Sequence, residues 1–261
     1  MITLLLILAG AALQAPPARH PVSWTRAVGP RPRQALEAKF KGPVELPRGQ
    51  QIAEHKREIR TCVGYARAKK RGWEARNGRE LATASFFKDQ CYTAALVLAA
   101  KPSRVSYVNN FKLDESALDL LPPSMTFAPI GEVEDAADQA ERQGLSWKKF
   151  RPHLKIREKS VNGITVLEPG ENPREDVLIN LEIKGFGDFN GDGIEDVLLF
   201  KEGHPVEGTF YSYHLVILTR VAADGPLKAF VVEDPEIERA MTLASQAHTN
   251  KPAKARQPKE K

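Results

Sequence analysis

The stretch VLINLEIKGFGDFNGDGIEDVLLFK, residues 177–201, decides the fold of this chain. Its two ends, Val177–Lys184 and Val197–Lys201, are rich in Val, Leu and Ile, which is typical of β-strands. Between them lies DFNGDGIED, in which Asn-Gly and Asp-Gly are strong turn signals. The stretch therefore predicts two neighbouring strands joined by an acidic turn.

The acidic turn has the residue order of a metal-binding loop, D-x-N-x-D-G-x-x-D. Its oxygen-bearing side chains are Asp188, Asn190, Asp192 and Asp196. Gly191 and Gly193 let the backbone turn tightly between them. A hard cation takes six to eight oxygens at about 2.3–2.6 Å, and acids at alternate positions of a tight turn can converge on one point. The pattern therefore predicts a Ca²⁺ site.

The known family whose loop this order resembles is the FG-GAP or VCBS-type repeat of integrin-like β-propellers. The residues that carry the resemblance are Phe186, Gly187, Asp188, Asn190, Gly191, Asp192, Gly193, Asp196 and the following Val197-Leu198-Leu199. The ligands it implies are the side chains of Asp188, Asn190, Asp192 and Asp196 and the carbonyl of Ile194. The loop occurs as a single copy in residues 185–200. It implies no propeller, because propellers need about four to eight blades.

Three other kinds of loop share part of this residue order. An EF-hand has flanking helices and a bidentate Glu at position twelve, where this chain has Leu199. A dinucleotide-binding fingerprint would need a glycine at Asn190 and a following helix. An ordinary polar hairpin turn remains open as an alternative. A contribution of Glu195 to a metal site also remains open.

The N-terminus reads as a secretory signal peptide over residues 1–15. Its apolar run from Ile2 to Leu13 is too short to cross a bilayer, and cleavage after Ala12 or Ala15 is expected. An N-terminal strand or a membrane anchor is the alternative. Export would place the mature chain, without a transmembrane span, in the periplasm or outside the cell. Free calcium is plentiful there, so weak loops stay occupied.

The two cysteines, Cys62 and Cys91, lie in stretches with helical periodicity, Gln50–Arg71 and Arg79–Ala100. The breaker-rich segment RGWEARNG separates these stretches, and its position midway between the cysteines predicts an antiparallel helical hairpin. Both cysteines would then lie at similar heights. We therefore expect a Cys62–Cys91 disulfide, with two unpaired buried thiols as the alternative.

The remaining chain divides into regions of different composition. We expect a Pro/Arg-rich linker or arm over residues 16–49, a helical region over 50–150, an α+β calcium-loop domain over 155–248 and a disordered basic tail over 249–261. The helical region includes a short helix capped by Asp114 and a longer one over Gly131–Gln143.

The domain after Lys155 alternates apolar runs with turn signals, which favours an antiparallel meander. The expected strands are Ile164–Leu167, Val177–Ile183, Asp196–Lys201, Phe210–Val221 and Leu227–Val232. Both faces of the Phe210 strand are apolar, so we expect it to be central. A C-terminal helix over Pro235–His248 would pack on the sheet. The predicted fold class is α+β, with helices on one face.

Composition limits the possible partners. The chain has 261 residues, 42% apolar, 27% charged and a net charge of +5. The segment from Asn250 has five basic residues against Glu260, so it supplies most of this charge. Because it has no aromatic residues or recognisable binding motif, specific nucleic-acid binding is not expected. Weak attraction to anionic surfaces is a minor possibility.

No sequence motif identifies a reaction. The chain lacks G-x-S-x-G, H-E-x-x-H and a P-loop, and its histidines are scattered. The hypothesis favoured is an exported calcium-binding protein with a structural or recognition role, whose partner is a protein or glycan of the cell envelope. The alternatives are a hydrolase with structural calcium, using Glu202, Glu207 or loop acids near His204, and an inhibitor or adaptor of secreted enzymes.

Overall fold

The computed structural model describes residues 20–25, 36, 44–47, 56–73, 88–128, 131–208 and 210–232. The predicted signal peptide, the Pro235–His248 helix and the basic tail lie outside these residues, as does most of the predicted arm. The described helices include none that is long and apolar enough to cross a membrane.

The architecture is mixed helix and antiparallel sheet, as predicted. The strands are β1 (Ser23–Trp24), β2 (Val44–Pro47), β3 (Lys56–Ile59), β4 (Val105–Ser106), β5 (Lys155–Lys159), β6 (Gly163–Glu168), β7 (Val177–Gly187), β8 (Ile194–Pro205), β9 (Ser212–Thr219) and β10 (Lys228–Val231). The α-helices are α1 (Cys62–Lys70), α2 (Thr93–Ala99), α3 (Gly131–Arg142) and α4 (Trp147–Phe150). A π-helix, Lys88–Tyr92, leads directly into α2, and 3₁₀ turns occur at Glu115–Asp119, Pro123–Met125 and Pro173–Glu175.

The large sheet is the predicted meander, in the order β10-β9-β8-β7-β6-β5. The central pair is β7 and β8, whose register begins at Gly187 opposite Asp196 and runs to Val177 opposite Pro205. Two short strands extend this sheet: β1 pairs antiparallel with β7, and β4 pairs parallel with β8. The strand predicted from Phe210 corresponds to β9, which lies between β8 and β10 and is therefore an interior strand, one position from the edge of the sheet.

The sheet buries a separate apolar core on each face. The first core joins α1 and α2 to Leu198, Leu215 and Ile217. The second joins the 3₁₀ turns and α4 to Val197, Leu199 and other sheet residues. Because neighbouring residues of a strand point to opposite faces, Leu198 and Leu199 belong to different cores. The prediction of helices on one face only was therefore wrong.

The predicted disulfide is present. Cys62 and Cys91 are fully buried, and their Cα atoms are 5.2 Å apart. The helix predicted over Gln50–Arg71 was wrong in its first half, because Lys56–Ile59 forms β3, which pairs with β2. Thr61 then caps α1 by accepting a hydrogen bond from the Gly64 amide. Residues 74–87 lie outside the described part, so the hairpin connection stays a prediction.

Two predicted helices of the middle region are confirmed. Asp114 caps a 3₁₀ turn by accepting hydrogen bonds from the Ser116 and Ala117 amides. The acidic α3 begins at Gly131 and ends at Arg142, close to its predicted bounds.

Candidate metal centre

The predicted metal loop joins β7 to β8 at the end of the central hairpin. The register partners Gly187 and Asp196 close it. Gly191 and Gly193 have φ of 89° and 85°, a region that side-chain-bearing residues rarely adopt. The backbone turn predicted from the two Asn/Asp-Gly pairs is therefore formed at these glycines.

The loop is held by hydrogen bonds from its own backbone. Asp188 accepts from the Gly191 amide at 2.6 Å and from the Gly193 amide at 3.0 Å, one bond to each carboxylate oxygen. Asp192 Oδ1 accepts from the Ile194 amide at 2.7 Å. Asn190 Nδ2 donates to Asp192 Oδ2 at 3.1 Å on the exposed surface. A carboxylate has about four lone-pair sites, so these bonds leave acceptor capacity.

Asp196 is completely buried, Asp188 is 5% exposed, and Asp192 is exposed. Asp196 Oδ2 accepts from the Phe189 amide at 3.0 Å and from the Asn190 amide at 3.4 Å, so the carboxylate faces the loop. Its Oδ1 has no hydrogen-bond partner among the described residues. Burial is the main cause that raises the pKa of Asp196 to about 6. A buried acceptor without a partner is costly, so this atom needs an explanation.

Thr219 is the polar neighbour of Asp196 on β9. It follows Leu218, whose register partner is Val197. Its hydroxyl partly offsets the rise in the pKa of Asp196, but Thr219 Oγ1 and Asp196 Oδ1 do not meet in a hydrogen bond of normal geometry. Asp196 Oδ1 and Thr219 Oγ1 are therefore two buried oxygens that lack a hydrogen bond of normal geometry among the described residues.

Of the five predicted ligands, Asp188, Asn190 and Asp192 lie between β7 and β8, and Ile194 and Asp196 lie at the start of β8. Within the described ranges, no group of three His, Cys, Asp or Glu side chains is arranged to hold a metal ion. The acids instead bind loop amides at separate points. Glu195 is buried on the neighbouring position of β8.

A segment that sequence reasoning missed holds the loop from one side. Lys101 and Asp188 exchange two backbone hydrogen bonds, at 3.1 and 3.0 Å. The Arg104 amide donates to the Gly193 carbonyl at 2.7 Å, and β4 then pairs with the start of β8. This segment directly follows α2, so the loop is connected to the disulfide-bonded helices. Nothing in KPSRVS indicates such pairing.

The N-terminal segment approaches from the other side. His20 and Ser103 form an isolated β-bridge, so the residues just before β1 contact the Lys101–Arg104 segment. At Gly185, which pairs with Trp24, an added Cβ would lie 2.6 Å from the Ser23 carbonyl oxygen. Glycine is therefore required for this close approach.

A cleft of about 440 Å³ opens between the loop and the segment after α2. Its walls are Lys101, Pro102, Arg104, Asp188, Gly191, Asp192 and Gly193. It thus combines two basic side chains with two acids of the candidate metal loop.

The residues proposed for a hydrolase have separate partners. His204 Nδ1 lies 3.0 Å from the Pro205 carbonyl oxygen, and its ring is 4.8 Å from that of Tyr211. Glu202 accepts a hydrogen bond from Asn180 at 3.3 Å. Glu207 forms an exposed ion pair with Arg174 at 3.8 Å. The two carboxylates are therefore engaged with different groups.

Aromatic rings form a row beside His204. Tyr211 and Tyr213 are nearly parallel, at 10°, with ring centres 6.0 Å apart. Phe200 continues the row, 6.2 Å from Tyr213. Tyr211 is 47% exposed, and such exposed aromatic groups are frequent in binding surfaces. Glu202 and burial together raise the pKa of Tyr213, with burial the larger cause.

Sequence reasoning also missed a buried polar network in the second core. Lys201 Nζ donates to the Ser124 carbonyl at 3.0 Å and to the Thr126 carbonyl at 2.7 Å. Burial lowers the pKa of Lys201 to about 8, and the charge of Glu168 opposes this. Glu168 accepts from Thr126 Oγ1 at 2.8 Å and pairs with Arg151 at 2.8 Å. Lysine in an alternating strand gives no signal of burial, because it is almost always exposed.

Comparison with known proteins identifies no relative: no family model, no curated protein and no solved structure matches this chain.

Proposed function

We propose that this chain is an exported calcium-binding protein in which Ca²⁺ holds the β7–β8 hairpin in a fixed conformation for a structural or recognition role. The ligands would be the side chains of Asp188, Asn190, Asp192 and Asp196 and the carbonyl of Ile194. Calcium would supply charge neutralisation and cross-linking of the loop. No reaction step is assigned to it.

The observation that supports this proposal best is the buried Asp196 carboxylate. It is 0% exposed, and its Oδ1 has no hydrogen bond of normal geometry among the described residues, although the Thr219 hydroxyl is a polar neighbour. An ionised carboxylate in such a place is stabilised by a nearby cation. The exposed hydrogen bond from Asn190 Nδ2 to Asp192 Oδ2 is one of the contacts that would have to exchange. An exposed bond of this kind contributes little net free energy, so its loss is a small cost.

Export is supported by the disulfide, because disulfides persist mainly in oxidising compartments. A periplasmic or extracellular location would also supply calcium at concentrations that fill loops with Kd of about 0.1–1 mM. The partner we propose is a protein or glycan of the cell envelope.

Recognition is favoured over hydrolysis by the aromatic row. Tyr211 and Tyr213 present nearly parallel rings, whereas the carboxylates of Glu202 and Glu207 are bound to separate residues. A hydrolase with structural calcium would instead need two acids facing one substrate bond. No observation favours the inhibitor or adaptor alternative.

The test is thermal unfolding of the oxidised full chain in EGTA, in about 10 mM CaCl₂ and in about 10 mM MgCl₂. For a Kd of about 0.1–1 mM, calcium should stabilise the fold by roughly 1.4–2.7 kcal/mol. That corresponds to a rise in Tm of about 3–10 °C for a chain of this size. Asp192→Ala should abolish the rise, because it removes one ligand at an exposed position.

The matched control is Asp135→Ala, which removes an exposed aspartate from α3. This variant should keep the full calcium response. A wild-type Tm that is the same in EGTA and in calcium would overturn the proposal and leave DFNGDGIED as an ordinary turn.

A further inference from the structure

The helices α1 and α2 cover only part of their face of the sheet. Their apolar core includes Leu215 and ends against the half-buried Phe200. Because alternate residues of a strand share a face, the next residues of this face are Glu202 on β8 and Tyr213 on β9. Both are half-buried, and Tyr211 beyond them is exposed. In the described part of the chain, this end of the face is therefore partly open to solvent.

Two carboxylates on this face have the same position relative to an aromatic ring. Glu182 on β7 is the register partner of Phe200, and Glu202 on β8 is the register partner of Tyr213. Register partners share a face and have Cβ atoms about 4.5–5.5 Å apart. Burial is the larger cause that raises the pKa of Tyr213, and the charge of Glu202 is the next, so this carboxylate is close to the ring. The face therefore has two pairs that each combine a ring with a carboxylate.

The first of these pairs holds a cation that the chain itself supplies. Lys184 Nζ lies 5.0 Å from the centre of the Phe200 ring and 3.0 Å from Glu182 Oε2. A cation in this position gains from the negative face of the ring and from the carboxylate. Lys184 also pairs with Asp89 at 3.1 Å. With two carboxylates around one ammonium group, no positive charge is left over for Glu202.

The second pair has no cation among the described residues. Glu202 accepts one hydrogen bond, from Asn180 Nδ2 at 3.3 Å, and no described Lys, Arg or His nitrogen lies within 4.0 Å of its carboxylate. His204 Nδ1, on the same face, lies 3.0 Å from a backbone carbonyl oxygen instead. The Tyr213 ring is nearly parallel to the exposed Tyr211 ring. An accessible carboxylate without a counter-ion thus lies beside two aromatic rings.

The open face continues from Glu202 towards the β5 edge of the sheet. Asn180 also lines a pocket of about 190 Å³ on β5, β6 and β7. The charged groups of its lining are Glu158, Glu182 and Lys159, and Lys159 pairs with Glu115 at 2.6 Å. A second basic group of a ligand would therefore also meet a carboxylate here.

We infer that the second pair binds the guanidinium group of an arginine presented by a partner protein, with Glu202 as its carboxylate and Tyr213 and Tyr211 as the rings beside it. Arginine is favoured because a planar guanidinium stacks on aromatic rings and pairs with a carboxylate through two hydrogen bonds. A neutral glycan would contact the rings but leave the charge of Glu202 unpaired, which is costly when the group is desolvated. This inference rests on the recognition role proposed above, names the partner as a protein and requires no metal.

The test is an amide NMR titration of the oxidised full chain in EGTA at low ionic strength, where charge pairs are least screened. The ligands are the peptide Ac-Gly-Arg-Gly-Arg-Gly-amide and the same peptide with citrulline in place of both arginines. Citrulline has nearly the shape of arginine but no charge. The arginine peptide should bind at least about tenfold more tightly, the difference that one charge-assisted hydrogen bond makes. Cellotetraose, a neutral glycan, is the third ligand.

The decisive variant is Glu202→Gln, which removes the charge but keeps an oxygen that can accept from Asn180. It should bind the arginine peptide at least about tenfold more weakly and leave binding of the citrulline peptide unchanged. Tyr213→Leu should weaken binding of the arginine peptide about two- to fivefold, the range of one exposed cation–π contact. Glu134→Gln is the matched control, because it removes an exposed charge from α3, and it should behave like the wild type.

Three results would each overturn this inference: equal binding of the arginine and citrulline peptides, an unchanged affinity in Glu202→Gln, or tighter binding of cellotetraose than of the arginine peptide. The calcium-dependent rise in Tm is measured on the same preparation. A chain that responds to calcium but does not distinguish the two peptides would contradict this inference alone. A chain that binds the arginine peptide in EGTA but shows no calcium response would contradict the calcium site alone.

Discussion

Each face of the sheet packs against helices or turns that bury an apolar core. We call these elements the first and the second cover, and they are attached to the sheet in different ways. On the first face, the Cys62–Cys91 disulfide joins α1 to the π-helix that leads into α2, and the buried Lys184 pairs with Asp89 of that π-helix at 3.1 Å. On the second face, short turns are held by the Lys201 and Glu168 hydrogen bonds. Only the first face depends on a covalent bond, so redox conditions should act on that face, whereas both faces contain buried charge.

The largest expected effect is loss of the disulfide. Cys62→Ala/Cys91→Ala should lower the free energy of unfolding by about 3–4 kcal/mol, because the bond closes a long loop of the unfolded chain. Since α2 leads into the Lys101–Asp188 bridge, calcium affinity should fall as well. Urea unfolding and calcium titration measure the two effects. A variant with unchanged calcium affinity would show that the loop is independent of this cover.

The second effect is a change of folding stability with pH, which depends on Lys201. Its folded pKa is lowered to about 8, whereas the unfolded chain keeps the proton up to the ordinary value of 10.5. Between these values the unfolded state binds more protons, so the contribution of this group to stability rises with pH. The gain between about pH 7.5 and pH 10 should be roughly 2–3 kcal/mol.

Urea unfolding at both pH values, on the wild type and on Lys201→Met, isolates this contribution from other titrating groups. The wild type should gain stability relative to the variant as pH rises. Parallel pH profiles for the two proteins would contradict a buried, perturbed lysine on the second face.

Asp196→Asn, in the loop, should have a smaller effect on stability, and the sign of this effect should depend on whether calcium is present. Asp196→Asn removes a buried charge but keeps an oxygen that can accept from the Phe189 amide. In EGTA at neutral pH it should be about 1 kcal/mol more stable than the wild type, and its calcium response should be lost. Asp192→Asn, at an exposed position, should lose the calcium response without that gain. Unfolding in EGTA and in calcium tests both variants.

The smallest effect is expected where β1 joins the sheet. Gly185→Ala would place a Cβ against the Ser23 carbonyl oxygen and should cost about 1 kcal/mol, the lower end for overpacking. Hydrogen exchange of the β1 amides should rise. Gly225→Ala is the control, because its added Cβ meets only ordinary contacts. Unchanged protection of β1 would mean that the strand accommodates the methyl group.

The sequence was sufficient for the meander because turn signals and apolar alternation agree over residues 177–232. It was misleading at Lys56–Ile59, where the helical spacing of Ile52, Ile59 and Cys62 concealed a strand whose partner is β2. The second cover was missed because its attachment depends on Lys201 and Glu168, residue types that are usually exposed. Sequence order predicted which residues share the loop. It could not predict that Lys101 and Arg104 lie beside them, because that contact is long-range.

The pairing of β1 with β7 has a consequence for the order of folding. The meander strands meet neighbours that follow them closely in the chain, so each hairpin closes at a small entropic cost. Ser23 and Phe186 are register partners from distant parts of the chain. Contacts of such long separation form slowly and late. The segment around Ser23, which is synthesised before the sheet, should therefore be among the last to reach its place, and the loop should acquire this neighbour only when the rest of the sheet exists.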